Sequence, residues 1–165
     1  MGRAPTKAMG NPYFEARKRA SEFNEKLSSR AGAAELLHVS VDVVTDAELD
    51  LYKSLPVELI VRMADLYQEP QLLSTYCLRE CPIGRNNAIS DKVLTIERVT
   101  VKLLRKMRVE QLESMKDRLL DIAEDGMISE DEIEDVKSIS EYLDSLSRTI
   151  SELRTIAKKI TGARS

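Results

Sequence analysis

The stretch SRAGAAELLHVSVDVVTDAELD, Ser29 to Asp50, decides how this chain folds. Arg30 to Leu37 is rich in small and apolar residues (Ala31, Ala33, Ala34, Leu36, Leu37) and reads as a short helix. His38-Val39-Ser40 reads as a turn, and Ser40 is a good N-cap for a helix starting at Val41. Val41 to Leu49 reads as that second short helix. Two such helices joined by a tight turn make a helix-turn-helix, in which the second helix would enter a DNA major groove.

Outward from that stretch, residues 1–11 are punctuated by Gly and Pro and are expected to be disordered. A helix is expected from about Tyr13 to Leu27, carrying Arg17, Lys18 and Arg19, a cluster suited to DNA phosphates. Beyond a loop at Leu51–Leu55, Ser54 and Pro56 open a helix through Tyr67, Pro being welcome in a first turn. Leu59, Ile60, Met63 and Leu66 form its core stripe. A short helix from Glu69-Pro70 to about Glu80 is stopped by Pro82-Ile83-Gly84. Five short helices thus occupy residues 12–84.

Ser29, Ala34, Val39, Ser40, Glu48 and the segment RMADLY, Arg62 to Tyr67, fall in step with the lambda-repressor-like helix-turn-helix domains of the XRE family, which this region resembles. The segment YCLRECPIG, Tyr76 to Gly84, is similar to the tail of those members that carry an all-helical C-terminal extension. The resemblance spans roughly residues 12 to 85. It implies a DNA-binding regulator of bacterial or phage type, working as a dimer. Ser29 and Arg30 would then contact phosphate, and Ser40, Val41, Asp42 and Thr45 would face base edges. Lys53 and Arg17–Arg19 would add backbone affinity.

Three departures from the family pattern stand out. The turn residue is His38 rather than Gly, and a non-Gly residue at positive φ costs roughly 1 kcal/mol. The first residue of the first motif helix is Arg30 rather than Gln. The reading helix carries Asp42, Asp46 and Glu48, unusual against a polyanion. Asp accepts from a cytosine amino group, but Arg, Lys, Asn and Gln do most base reading. The acidic helix therefore supports a second expectation: Asp42, Asp46, Glu48 and Asp50 present an anionic surface to a basic protein partner, as an inhibitor of a host nucleic-acid enzyme would.

Residues 85–165 read as a helical hairpin. Arg85 to Ser90 is a polar linker, and helix is expected from Asp91. Val99, Leu103, Met107, Leu112, Met115, Leu119 and Ile122 recur at steps of three and four, with one five-residue step after Met107. That gives one long helix or two with a bend near Arg108. Arg98, Lys102 and Arg105 share one face, a candidate contact for an acidic partner or DNA. Gly126 suits a left-handed helix end. Ser129 and Glu132 form a capping box before the last helix. There Val136, Ile139, Leu143, Leu146, Ile150, Leu153, Ala157 and Ile160 repeat at alternating steps of three and four. Tyr142, Thr149 and Ile156 widen this stripe, which suits packing against the preceding helix and then a partner subunit. Ile139, Leu143, Leu146, Ile150, Leu153 and Ile160 are the candidate dimerisation residues.

Composition narrows the chemistry. Of 165 residues 42% are hydrophobic and 4% aromatic, with no Trp, which suits an aliphatic, all-α core. Net charge is −3 but uneven: residues 1–30 hold seven Lys/Arg against three Glu, and residues 31–70 two against eight acids. No apolar run is long enough for a membrane span and no signal core opens the chain, so the expected location is cytoplasmic. A single His leaves no material for a Ser–His or Cys–His pair. Cys77 and Cys81, one helical turn apart, make a poor disulfide and a poor metal site. Asp121, Asp125, Gly126, Ile128 and Glu132 match an EF-hand loop in part, but Ala123 supplies no ligand where one is needed. No enzyme activity, cofactor or metal is expected.

Overall fold

Asn11 opens the first helix. Its side-chain oxygen accepts from the Tyr13 and Phe14 amides at 2.9 and 3.1 Å, and Pro12 occupies the first helical position. The computed structural model describes residues 7–124, 126, 128–130 and 132–162, and the regular elements among them are helices with no strand. The helices are α1 (Pro12–Ala20), α2 (Arg30–Leu37), α3 (Val41–Glu48), α4 (Val57–Leu66), α5 (Gln71–Arg79), α6 (Ile96–Lys106), α7 (Val109–Ala123) and α8 (Glu132–Gly162). Two compact units result. One holds α1–α5 with the end of α8 from residue 158, the other residues 87–157.

In the first unit, Ala8 and Asn11 are buried, so residues 7–11 are ordered against the core rather than disordered as expected; residues 1–6 lie outside the described residues. Asn11 Nδ2 donates to the Ala47 carbonyl and to Asp50, both at 2.9 Å, fastening the start of α1 to the end of α3. α1 stops at Ala20 instead of running to Leu27. Ser21 turns its hydroxyl back onto the Lys18 carbonyl, and Asn24 caps a 3-10 turn at Glu25–Ser28. Short polar side chains bond the backbone locally and compete with helix. The break swings Leu27 fully into the core beside Ala16, Ala20, Ala33 and Leu37. On α4, Leu59, Ile60 and Met63 are buried and Leu66 is half-buried.

Three helices end without glycine. His38, Asp50 and Gln68 adopt φ values of 53°, 55° and 53°. Each lets the next amide reach back five residues: Val39 to Ala34, Leu51 to Asp46 and Glu69 to Ala64, at 2.9–3.1 Å. These are 6→1 bonds of the Schellman type, which satisfy carbonyls left over at a helix end. Arg62 adds a bond from α4 to the Leu37 carbonyl at 2.8 Å. Glycine is required elsewhere, at Gly32, where a Cβ would lie 2.0 Å from the Lys26 carbonyl oxygen. The absence of a side chain there lets α2 approach the 3-10 turn.

In the second unit helix begins later than expected. Residues 91–95 are non-helical and α6 starts at Ile96. The helix anticipated beyond it breaks at Met107–Arg108, at the five-residue step in the apolar pattern. Gly126 takes φ +70°. Glu132 Oε2 accepts from the Ser129 amide and hydroxyl at 2.8 and 2.7 Å, half of the capping box. Asp125 of the partial EF-hand match lies outside the described residues. α6 lies against α8 through polar groups: Glu152, 1% exposed, accepts from Lys102 at 2.7 Å and from the Ser90 hydroxyl at 2.9 Å. Ile139, expected at an interface between copies, is instead covered within its own chain. Leu146 and Leu153 are half-buried, and Leu143, Ile150 and Ile160 are exposed.

Gly32→Ala should cost about 2 kcal/mol or more, because backbone rather than a flexible side chain stands in the way. His38→Gly and Gln68→Gly should each stabilise by about 1 kcal/mol by relieving the left-handed conformation. Urea unfolding followed by circular dichroism reads all three as shifts in midpoint at constant slope.

Candidate nucleic-acid interface

α2 and α3 are capped by serines. The Ser29 hydroxyl oxygen accepts from the Gly32 amide at 3.0 Å, and the Ser40 oxygen from the Val43 amide at 3.4 Å. Each hydroxyl keeps its own hydrogen free to donate outward. Val44 and Ala47 turn α3 into the core. Val41 and Asp42 are exposed on the opposite side, with Thr45 and Asp46 half-buried beside them. Thr45 donates to the Val41 carbonyl at 2.9 Å.

The α1 cations divide. Arg17 is 3% exposed and cannot contact phosphate as expected. Its Nε and Nη2 engage Glu48 at 2.5 and 3.0 Å, and Nη1 donates to the Leu27 carbonyl at 2.9 Å. Arg30 reaches the same carboxylate at 2.8 Å while remaining about one-third exposed. Glu48 is therefore the buried centre of two arginines and not part of an anionic surface. A buried carboxylate is tolerable only when paired and bonded in this way. Arg19 pairs with Glu69, which also takes Lys159 at 3.1 Å. Lys18 and Lys53 stay exposed. Nearby, burial foremost and the Glu48 carboxylate second hold the Tyr67 hydroxyl above the ordinary tyrosine range, keeping it neutral.

Lys7, Lys18 and Arg30 line one open cavity of about 610 Å³ with Ala8, Phe14, Arg17 and Leu49. The cavity carries positive charge beside the start of α2, whose dipole adds to it. Lys7 was missed in the sequence because the segment around it reads as disordered. The Asn11-Pro12 pair, a cap followed by a first-turn proline, is the signal that would have placed it. Of the acidic residues, Asp42 is open, Asp46 is half-buried, and exposed Asp50 accepts from Asn11.

Other chemistry is sparse. Cys77 and Cys81 are free and half-buried, and burial pushes the Cys77 thiol up, away from a reactive thiolate. Among the described residues no three His, Cys, Asp or Glu side chains are grouped to hold a metal, and no helix is long and apolar enough to cross a membrane. No family model, no curated protein and no solved structure matches the chain.

Glu48→Ala should cost about 3–5 kcal/mol, since it leaves Arg17 buried without its partner. Asp42→Ala, on the open side of the same helix, should stay within about 0.5 kcal/mol. Thermal or urea unfolding of the two variants separates these outcomes.

Proposed function

We propose that the chain is a sequence-specific DNA-binding regulator of the lambda-repressor-like, XRE type, in which α2 and α3 form the helix-turn-helix and α3 enters the major groove. The supporting observation is a cationic flank, Lys7, Lys18 and Arg30, around one cavity beside the start of α2 that Leu49, just past the end of α3, also lines. Ser40, Val41, Asp42 and Thr45 supply the base-facing edge. Ser29, Lys18, Arg30 and Lys53 hold phosphate. Asp42 selects by accepting from a cytosine amino group, and by repelling phosphate it penalises docking out of register. The protein acts as a homodimer through residues 85–165, on an operator of two half-sites, and is of phage or mobile-element type.

A second reading draws on a different observation. The solvent side of α3 offers Asp42 and Asp46 and no cation. On that reading α3 docks a basic protein, such as a host nucleic-acid enzyme, with Asp50 at the edge of the surface and Glu48 excluded from it by burial.

Fluorescence anisotropy on duplexes containing the chain's own upstream DNA, over a salt series, tests the first reading. Affinity should fall steeply with salt and exceed that for random duplexes. Lys18→Ala should weaken binding to every sequence and reduce the salt slope by about 1. Asp42→Asn should change the preference at one base pair by about 1–3 kcal/mol. Absence of binding at low salt would defeat this reading and favour the second.

A further inference from the structure

The second unit is a hairpin of two antiparallel helical runs. Lys102 meets Glu152, Lys106 meets Ser145, and Arg118 meets Asp135, so numbers rise along α6–α7 as they fall along α8. Its apolar core is thin. Val99 and Ile139 are the buried apolar side chains among its described residues. By contrast Val101, Leu104, Leu120, Ile133, Leu143 and Ile150 are between 39% and 65% exposed. One helix–helix seam leaves the remaining faces of each helix open, and a bundle of four closes them.

Charge along the hairpin is segregated. Residues 96–108 hold five cations against Glu97, while residues 109–136, around the tip, hold eleven acids against Lys116 and Arg118. On α6, Arg98, Val101 and Arg105 lie on one face, three and four residues apart. With Glu97, Lys102 and Lys106 they line an open groove of about 500 Å³. On α7 and its C-cap, Glu113, Asp117, Leu120 and Glu124 repeat the same spacing with opposite sign. Arg98, Arg105, Glu113 and Glu124 have no ion-pair partner among the described residues. The two faces are therefore complementary in pattern and in charge but belong to successive helices of one run.

We infer that a second copy of this chain covers the hairpin in antiparallel orientation, so that α7 of each protomer lies in the α6 groove of the other. The arrangement is two-fold symmetric and makes the same contact twice. Leu120 meets Val101, and the carboxylates of α7 meet Arg98 and Arg105. Parallel pairing would instead set the acidic tips side by side. The inference rests on the dimeric reading above and adds the orientation and the residues that choose the partner.

Sedimentation equilibrium of the full chain without DNA tests it. The wild type should dimerise at micromolar concentration and loosen with added salt. Arg98→Glu with Arg105→Glu in one variant, and Glu113→Lys with Glu124→Lys in another, change exposed residues, so circular dichroism should remain helical. Each variant alone should dimerise at least tenfold more weakly, and an equimolar mixture should recover wild-type association. A monomeric wild type would overturn both the dimer and its orientation. Variants that each associate as tightly as wild type, or a mixture that recovers nothing, would overturn the charge-paired orientation and leave the dimer standing. Neither result depends on whether α3 binds DNA.

Discussion

The first unit depends on one buried carboxylate. Glu48 sits at the end of α3 with no exposed surface to speak of, and Arg17 of α1 closes on it with two nitrogens. The third nitrogen of Arg17 holds the Leu27 carbonyl of the 3-10 turn. Arg30, the first residue of α2, takes the remaining side of Glu48. A single charge cluster thus joins α1, α2, α3 and the turn between the first two. Its geometry is strict because an ion removed from water must recover its lost hydration from fixed partners. Hydrophobic packing of small residues lets these helices approach, and the charge cluster sets their register.

That cluster also determines what faces outward. With Glu48 and Arg17 inward, α3 turns Val41 and Asp42 to solvent, and α1 leaves Lys18 exposed, bonded to the Ser28 carbonyl rather than to a carboxylate. Arg30 is both part of the cluster and at its rim, beside Lys7 and Lys18 around a common cavity. The exposed surface therefore pairs a modest positive flank with a negative helix. In the proposed DNA-binding role such a surface would draw affinity from the flank and discrimination from the helix, since phosphate contacts position and base contacts specify. The Schellman ends at His38 and Asp50 hold α3 at both sides without glycine, by trading left-handed strain for a satisfied carbonyl.

The hairpin obeys a different physical logic. Its seam includes polar contacts, with Glu152 buried under Lys102 and Ser90, while Val101, Leu104, Leu120 and Leu143 stay exposed. These polar contacts fix how α6 meets α8 but contribute little hydrophobic stabilisation. Exposed aliphatic residues along helices with opposite charges at opposite ends are the surface that the proposed antiparallel pairing would cover.

The helical class, the bounds of α2, the start of α3 and the apolar stripe of α4 were legible in the sequence, which also marked Arg108 as the place where a long helix could break. Each is a local matter of periodicity, capping chemistry or turn preference, acting within a few residues. Tertiary structure decided the fate of the charges. Arg17, Lys18 and Arg19 are adjacent in sequence, yet one is buried on Glu48, one is exposed and one pairs with Glu69. Glu48 reads as a surface acid beside Asp42 and Asp46, and only packing against a residue 31 positions away draws it inside. Ile139 and Leu143 share one stripe, yet α8's neighbours cover the first and leave the second open. Local rules set which residues can share a face; long-range desolvation and pairing settle which of them meet water.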